Sequence, residues 1–164
     1  MSTITSSHLP VTKEVRDLLT ELLDRPVQLS PSTPLAPTPK SPCTVAVYVD
    51  DLLRVTALIA ADLPLSAYAG AAIGLVPVGG AEAAIEEGTL TDTLRENLYE
   101  VLNIAASLFN ADGATHVRLY DVHHVGNPLP ADVMGRALTL GRREDVTVEV
   151  GGYGTGRLSV VMVA

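Results

Sequence analysis

The sequence predicts an α+β fold, with a layered, largely antiparallel sheet and long helices packed on one face. Helical and extended patterns follow the order helix, two strands, helix, helix, strand, two strands, so strands adjoin strands and helices are grouped. Of the 164 residues, 47% are apolar and 18% are charged, which predicts one folded domain with a buried core. The apolar residues are mostly small aliphatic ones, which allow helices to pack closely.

The first part of the chain is predicted to hold a flexible tail, a helix and a loop. Residues 1–10 are the tail, and the single domain covers residues 11–164. Over residues 11–23 apolar side chains repeat at helical spacing. Residues 30–42 contain five prolines and are predicted to form a loop without regular structure, because proline lacks the N–H that helices and sheets use.

A hairpin is predicted after this loop. Cys43–Val49 (CTVAVYV) is short and rich in β-branched residues, Asp50-Asp51 is a turn signal, and residues 53–59 are a second strand. Because Cys43 lies among Val and Ala, it is expected to be a buried and unreactive thiol.

Two helical segments follow the hairpin. Residues 65–75 are predicted to form a helix with Ser66 as its N-cap, and a short helical segment rich in Ala and Glu precedes Gly88. Residues 63–80 carry no charge and are long enough to span a bilayer. Pro64, Pro77 and several glycines interrupt them, so a buried helix and a turn are predicted instead of a membrane span.

The end of the chain predicts three more strands. Residues 115–122 form the first, and a turn follows at residues 126–128. Residues 146–150 and 158–163 are two strands joined by the glycine-rich stretch GGYGTGR. The adjacent His123 and His124 would point to opposite faces of a strand, so no shared metal ion is predicted.

Charge and cysteine content bear on partners and location. The formal net charge of −8 and the scattered Lys and Arg argue against free nucleic acid as a partner, since phosphate binding needs a basic surface. A single cysteine cannot form an internal disulfide, and the N-terminus lacks a secretory pattern. These features predict a cytoplasmic protein.

The strongest helical pattern covers residues 93–110. Thr93 and Glu96 have the spacing of a capping box, and Ala111-Asp112-Gly113 ends the segment. Its apolar stripe consists of Leu94, Leu98, Val101, Leu102, Ala105, Leu108 and Phe109. This stripe predicts a helix that packs on the core through one face.

The opposite face of this helix carries a row of polar side chains within a sector of about 80 degrees. The row consists of Glu96, Glu100, Asn103, Ser107 and Asn110. It combines carboxylates and carboxamides without a positive charge, and a carboxamide can donate and accept hydrogen bonds at once. Two interpretations stay open: a solvated face, or a surface that acts on the active site of another protein.

The spacing Glu96-x-x-x-Glu100-x-x-Asn103 resembles the signature of the CheC/CheX/FliY family of chemotaxis phosphatases, CheX most closely. The resemblance extends over most of residues 11–163. The similar segments are "TKEVRDLLTELLDRPVQL", "CTVAVYVDDLLRVTALIA", "GATHVRLYDVHHVG" and "EVGGYGTGRLSVVMV". The implied fold is the α+β layer architecture of that family.

The resemblance also implies an activity, hydrolysis of the aspartyl phosphate of a CheY-type response regulator. Asn103 would orient the attacking water and Glu100 would contact the regulator's lysine, while Glu96, Ser107 and Asn110 would contact the partner. The regulator carries the Mg²⁺ in this family, so no metal or cofactor of the chain's own is expected.

Four departures from the family pattern keep an alternative open. The spacing from the helix to the next strand is shorter than in the family, and the stretch near Ala106-Ser107 lacks the family's glycine. Glu96 stands where the family usually has Ser or Asp, and Tyr120-Asp121 stands where it has a Pro. The alternative is a noncatalytic, CheC-like interaction module that binds a signalling partner through the helix at 93–110. Relatives of the CheX type can pair through sheet edges, so the choice between monomer and homodimer is also open.

Overall fold

The computed structural model describes residues 6–163, and it has the predicted α+β architecture. Within these residues the helices are α1 (Thr12–Leu23), α2 (Leu63–Ile73), α3 (Val78–Glu87), α4 (Asp92–Ala105) and α5 (Ala131–Ala137). The strands are β1 (Val27–Pro31), β2 (Cys43–Val49), β3 (Val55–Asp62), β4 (Arg118–His123), β5 (Arg143–Val150) and β6 (Gly154–Met162). A 3-10 turn, Ala106–Phe109, directly continues α4. Within the same residues, none of the helices has the length and apolar content needed to cross a membrane.

The strands of the described chain form one six-stranded sheet in the order β1-β5-β6-β3-β2-β4. Every pairing is antiparallel, and β2–β3 and β5–β6 are the two predicted hairpins. β1 and β4 are the edge strands. Along the β2–β4 pairing, Val47 lies opposite Asp121 and Tyr48 lies opposite Leu119, so Tyr120 is an extra residue that forms a bulge.

Both faces of the sheet are covered. The core on one face contains residues of α1, α2 and α4, and Tyr48 of β2 belongs to it. On the opposite face, Val45 and Val47 cluster with Leu35 of the proline-rich segment and Val133 of α5. The long helices therefore lie on one face, as predicted, while a loop and the short α5 cover the other. This two-sided cover explains why β2 is buried at every residue.

α2 occupies the centre of the covered helical face, and small side chains bring α4 close to it. Most residues of α2 are Ala, Gly or Leu. Seven residues of this helix, Ser66 among them, are buried. A Cβ on Gly70 would lie 2.8 Å from the carbonyl oxygen of Leu94, which shows how closely the backbones of α2 and α4 approach. The position of α4 thus depends on the absence of a side chain at residue 70.

The predicted N-cap of α2 is wrong. The helix begins at Leu63, and the carboxylate of Asp62 caps it by accepting a hydrogen bond from the Leu65 N–H at 3.0 Å. Ser66 lies inside the helix and is fully buried. Its hydroxyl donates to Thr44 Oγ1 at 2.9 Å and lies 3.2 Å from the Ala61 carbonyl oxygen, so it joins the helix to the sheet. Asp62 and Ser66 both have a high propensity for the N-cap position and are four positions apart, and Asp62 is the cap.

Two elements were missed by the sequence patterns. β1 includes Ser30 and Pro31, which were assigned to the irregular loop of residues 30–42. Proline is tolerated there because β1 is an edge strand, where a missing N–H leaves the ladder with β5 largely intact. α5 has seven residues, too few for a helical period to stand out.

Residues 6–8, which precede α1, contact the rest of the domain. The predicted flexible tail, residues 1–10, lies partly outside the described residues, which start at residue 6. The Thr115 N–H donates to the Ser6 carbonyl at 3.1 Å, and His8 Nε2 lies 3.1 Å from the Glu14 carboxylate. Arg142 also donates two hydrogen bonds of 2.9 Å to Ser7.

Gly70→Ala is expected to lower the free energy of unfolding by about 1–3 kcal/mol, because α2 and α4 must separate to admit the new methyl group. Urea unfolding followed by circular dichroism measures the change. Gly79→Ala in α3 is the matched control, since a Cβ there meets nothing within 4 Å. The control should be neutral or stabilising by up to about 1 kcal/mol. Equal midpoints for Gly70→Ala and the wild type would contradict the proposed role of the close contact.

Candidate functional site

α4 presents the predicted polar row to solvent. Leu98 and Ala105 are buried toward the core, whereas Glu96, Glu100 and Asn103 are exposed on the opposite side. Glu100 and Asn103 are three residues apart and therefore neighbours on the helix surface. The proline-rich segment packs through Leu35 into the core cluster on the other face of the sheet, so it does not cover α4. The side chains of Glu100 and Asn103 are therefore exposed.

The start of α4 differs from the predicted capping box. The hydroxyl of Thr91 accepts a hydrogen bond from the Leu94 N–H at 3.2 Å, so Thr91 is the N-cap and Thr93 lies within the first turn. Asp92 also lies in this turn, where its negative charge interacts favourably with the helix dipole. The helix therefore begins two residues earlier than the Thr93–Glu96 spacing predicted.

The end of α4 is also earlier than predicted. The α-helix stops at Ala105, and the chain tightens into the 3-10 turn. The hydroxyl of Tyr48 donates to the Leu102 carbonyl at 2.6 Å, and the Tyr48 and Phe109 rings lie 5.0 Å apart. These contacts fix the end of the helix against β2. Because a 3-10 turn has three residues per turn, the polar row changes direction after residue 105.

The members of the row beyond residue 105 differ in their contacts. Ser107 is exposed on the 3-10 turn. Asn110 follows the turn, and its side chain makes two hydrogen bonds with the backbone of Val117. Its Nδ2 donates to the Val117 carbonyl at 2.9 Å, and its Oδ1 accepts from the Val117 N–H at 2.8 Å. Asn110 thereby ties the end of the turn to the segment that leads into β4.

Asn103 differs from the other asparagines of this segment because its amide is free. Asn97 Nδ2 donates to the Gly70 carbonyl at 2.9 Å, so Asn97 joins α4 to α2. Within residues 6–163, the side chains of Glu100 and Asn103 make no hydrogen bond. Their hydrogen-bonding capacity is therefore available to a partner molecule.

One flank of α4 borders a cleft that the sequence patterns did not predict. The cleft is a shallow, open groove of about 280 Å³, and it is lined by Arg95, Glu96, Tyr99 and His124. Tyr99 is 47% exposed and lies one turn before Asn103. Burial, together with the nearby charge of Arg95, lowers the pKa of His124. Sequence reasoning placed Glu96 in the polar row but missed Arg95, Tyr99 and His124 as site residues, because it followed the outermost row of the helix and did not place β4 beside it.

Other candidate chemistry lies away from the polar row. Burial, together with the charge of Asp62, raises the pKa of the Cys43 thiol to about 12, consistent with an unreactive side chain. Among the described residues, no three His, Cys, Asp or Glu side chains group closely enough to hold a metal ion. A larger cavity of about 570 Å³ lies between the proline-rich segment and α5, and it shares no lining residue with α4.

The sequence matches no protein-family profile and no curated protein. Its fold, however, is similar to that of FliM. The FliM middle domain from H. pylori superposes with a TM-score of 0.54 at 8% identity, over 92% of this chain and 83% of that chain. A chain of the H. pylori FliM–SpeE complex gives 0.56 at 8% identity, over 92% and 80%. A chain of the H. pylori FliG–FliM complex gives 0.53 at 13% identity, over 94% and 87%.

At these identities the likeness shows the fold alone. FliM middle domains share their fold with CheC, CheX and FliY proteins, so the similarity supports the fold that the sequence resemblance implied. The closer likeness to CheX and the roles of individual side chains stay predictions.

Asn103→Ala is expected to change the free energy of unfolding by no more than about 0.5 kcal/mol, because the amide has no internal partner in the described chain. Asn110→Ala should lower it by about 1–3 kcal/mol, since the buried Val117 N–H loses its acceptor. Chemical denaturation of the two variants in parallel measures the difference. A loss for Asn103→Ala as large as that for Asn110→Ala would show that Asn103 has a structural role.

The lowered pKa of His124 predicts a pH dependence of stability. The folded state favours the neutral imidazole, while in the unfolded chain the group titrates near its ordinary value of 6.5. The unfolded state therefore binds more protons as the pH falls through 6.5, and stability decreases until the lower folded-state pKa is passed. Urea midpoints at pH 7.5 and 5 should differ less in His124→Gln than in the wild type. If the difference between the two urea midpoints is the same in His124→Gln and the wild type, His124 does not contribute to the pH dependence of stability.

Proposed function

We propose that this chain is a protein-binding module of the CheC/FliM type, which docks a signalling partner on the exposed face of α4. The observation that carries the proposal is the pair Glu100 and Asn103, exposed side by side and without hydrogen bonds inside the described residues. The fold neighbours support a role in protein binding, since FliM from H. pylori is found in complexes with FliG and with SpeE.

We further propose that the partner is a phosphorylated, CheY-type receiver domain in the cytoplasm. The negative charges of Glu96 and Glu100 form a surface that suits a partner lysine, and the net charge of −8 adds to the attraction. Ser107 extends the contact surface beyond the end of α4. Asn110 would contribute through its position at the rim, because its amide is held by Val117.

The finer proposal is that the docked chain hydrolyses the partner's aspartyl phosphate. The amide of Asn103 can accept a hydrogen bond from water and hold its oxygen in line with the P–O bond to aspartate. A new bond forms between the water oxygen and phosphorus, the bond to the aspartate oxygen breaks, and the carboxylate leaves with its electron pair. The water proton passes to the phosphate product or to solvent. Mg²⁺ on the partner would neutralise the charge of the phosphoryl oxygens.

Glu100 would act by position, pairing with the partner's lysine and setting the register of Asn103 over the phosphate. This division of roles separates binding from hydrolysis. A noncatalytic module would keep the contact of Glu100 but gain nothing from Asn103.

The test is phosphate release from phosphorylated receiver domains encoded in the same genome, with Mg²⁺ present. The wild-type chain should accelerate release from at least one receiver, and Asn103→Ala should slow that release by at least about tenfold without weakening binding. Asn127→Ala is the matched control, since Asn127 is an exposed asparagine in a turn outside α4. Equal rates for Asn103→Ala and the wild type would remove the catalytic proposal.

Docking is tested separately by the affinity of the same receivers for Glu100→Lys. Reversal of this charge should weaken binding by at least about tenfold, because the partner lysine would then face a like charge. Glu86→Lys in α3 makes the same charge change on a different helix and should have little effect. Receiver binding without accelerated hydrolysis would favour the noncatalytic module. If none of the receivers binds, the proposal of a receiver partner is wrong.

A further inference from the structure

The cleft between α4 and the end of β4 is continuous with the proposed docking face. Arg95, Tyr99 and Asn103 follow one another at intervals of four residues, so they lie on successive turns along one flank of α4. Arg95 and Tyr99 line the cleft together with Glu96 and His124. A protein docked over Asn103 would therefore also cover this cleft.

Two buried polar atoms beside the cleft lack partners. Arg95 Nε and His124 Nδ1 are buried and make no hydrogen bond within residues 6–163. The Arg95 guanidinium makes one long hydrogen bond, to Thr89 Oγ1 at 3.4 Å. Among the same residues no carboxylate pairs with it. Because neither atom has appreciable access to solvent, a ligand in the cleft would bind the guanidinium and the imidazole through their other nitrogen atoms.

The chemistry of the cleft favours a carboxylate. A guanidinium binds a carboxylate through charge-assisted hydrogen bonds in a planar, two-pronged geometry. Glu96 is adjacent to Arg95 in the helix, and successive helical side chains do not face each other, so the acid must come from elsewhere. The negative charge of Glu96 in the same cleft opposes a doubly charged phosphate more strongly than a singly charged carboxylate.

We propose that the cleft receives an aspartate or glutamate side chain of the docked protein, which binds Arg95 while His124 takes up a proton. Arg95 is then a residue that determines partner specificity, and docking becomes stronger as the pH falls below neutral. The identity of the partner rests on the proposed function, whereas recognition of a carboxylate rests on the cleft itself.

The pH dependence follows from the surroundings of His124. The charged and titratable groups near it are Arg95, Glu96 and Tyr99 on α4, and Asp121 and His123 on β4. Burial and the charge of Arg95 lower the pKa of His124 in the free protein, and Asp121 offsets this in part. An incoming carboxylate adds a negative charge and raises the pKa. The association constant therefore rises as the pH falls through the bound-state pKa, and it levels off below the free-state pKa.

Nuclear magnetic resonance tests the cleft without any receiver. The ¹⁵N-labelled chain is titrated with the blocked tripeptides Gly-Asp-Gly and Gly-Asn-Gly, and with inorganic phosphate. The aspartyl peptide should cause saturable shifts of the Arg95 Nε–H and the His124 ring, and should raise the pKa of His124. The asparaginyl peptide should not. Equal shifts with both peptides, or no shift with the aspartyl peptide, would overturn the proposal.

Variants and the phosphate titration sharpen this test. Arg95→Gln should abolish the shifts at His124 while the remaining amide spectrum shows a folded chain. If Arg95→Gln does not fold, His124→Gln serves instead, and it should remove the pH dependence of peptide binding. Tighter binding of phosphate than of the aspartyl peptide would identify a general anion site and contradict a site for carboxylates.

A receiver domain that binds the wild-type chain gives the second arm. Arg95→Gln should weaken its binding by about tenfold, and the wild-type affinity should rise from pH 8 to pH 6. If the affinity for the receiver is the same for Arg95→Gln and the wild type, and the same at pH 8 and pH 6, the inference is wrong while the proposed function stands. If the aspartyl peptide binds but no receiver does, the carboxylate site stands and the proposed receiver partner is wrong.

Discussion

The close approach of α2 and α4 at Gly70 determines where the candidate site lies. With no side chain at residue 70, the Leu94 carbonyl comes within van der Waals distance of α2, and the Asn97 amide donates to the Gly70 carbonyl. The two contacts hold α4 close against α2 and restrict its rotation about its own axis. Once Asn97 faces α2, helical geometry turns Glu100 and Asn103 to solvent and Arg95 toward β4.

The end of α4 is fixed by a second set of contacts, which come from the sheet. The Tyr48 hydroxyl holds the Leu102 carbonyl, and its ring packs against Phe109 in the 3-10 turn. Asn103 lies immediately after Leu102, so its backbone is held, although its side chain has no hydrogen-bond partner among residues 6–163. A rigid backbone that carries an exposed amide is compatible with the role proposed for Asn103, which is to position a water molecule on another protein.

The elements that could be predicted from the sequence are those whose pattern reflects local burial. The hairpin of β2 and β3 stands out because both faces of its strands are covered, so nearly every side chain is apolar. β1 could not be recognised, because its proline is tolerated only through its place at the edge of the sheet. The N-cap of α2 was misplaced because Ser66 has an alternative role, which depends on Thr44 being nearby in space.

In the candidate site, too, the features set by local spacing could be predicted, whereas those set by tertiary contacts could not. Helical spacing was sufficient to place Glu96, Glu100 and Asn103 together on an exposed face. It could not show that Asn110 bonds to Val117, because the change from α-helix to 3-10 turn depends on contacts with β2. The cleft could not be predicted either, because Arg95 and His124 are 29 residues apart in the sequence and come together only through tertiary packing.

The bulge at Tyr120 has a consequence for assembly. β4 is the edge of the sheet nearest the cleft, and an edge strand normally offers a regular row of N–H and C=O groups to any extended chain. The extra residue interrupts that row and bends the strand, so another strand cannot add there in continuous register. The bulge therefore protects this backbone edge from uncontrolled β-sheet growth and favours recognition through side chains at this end of the molecule.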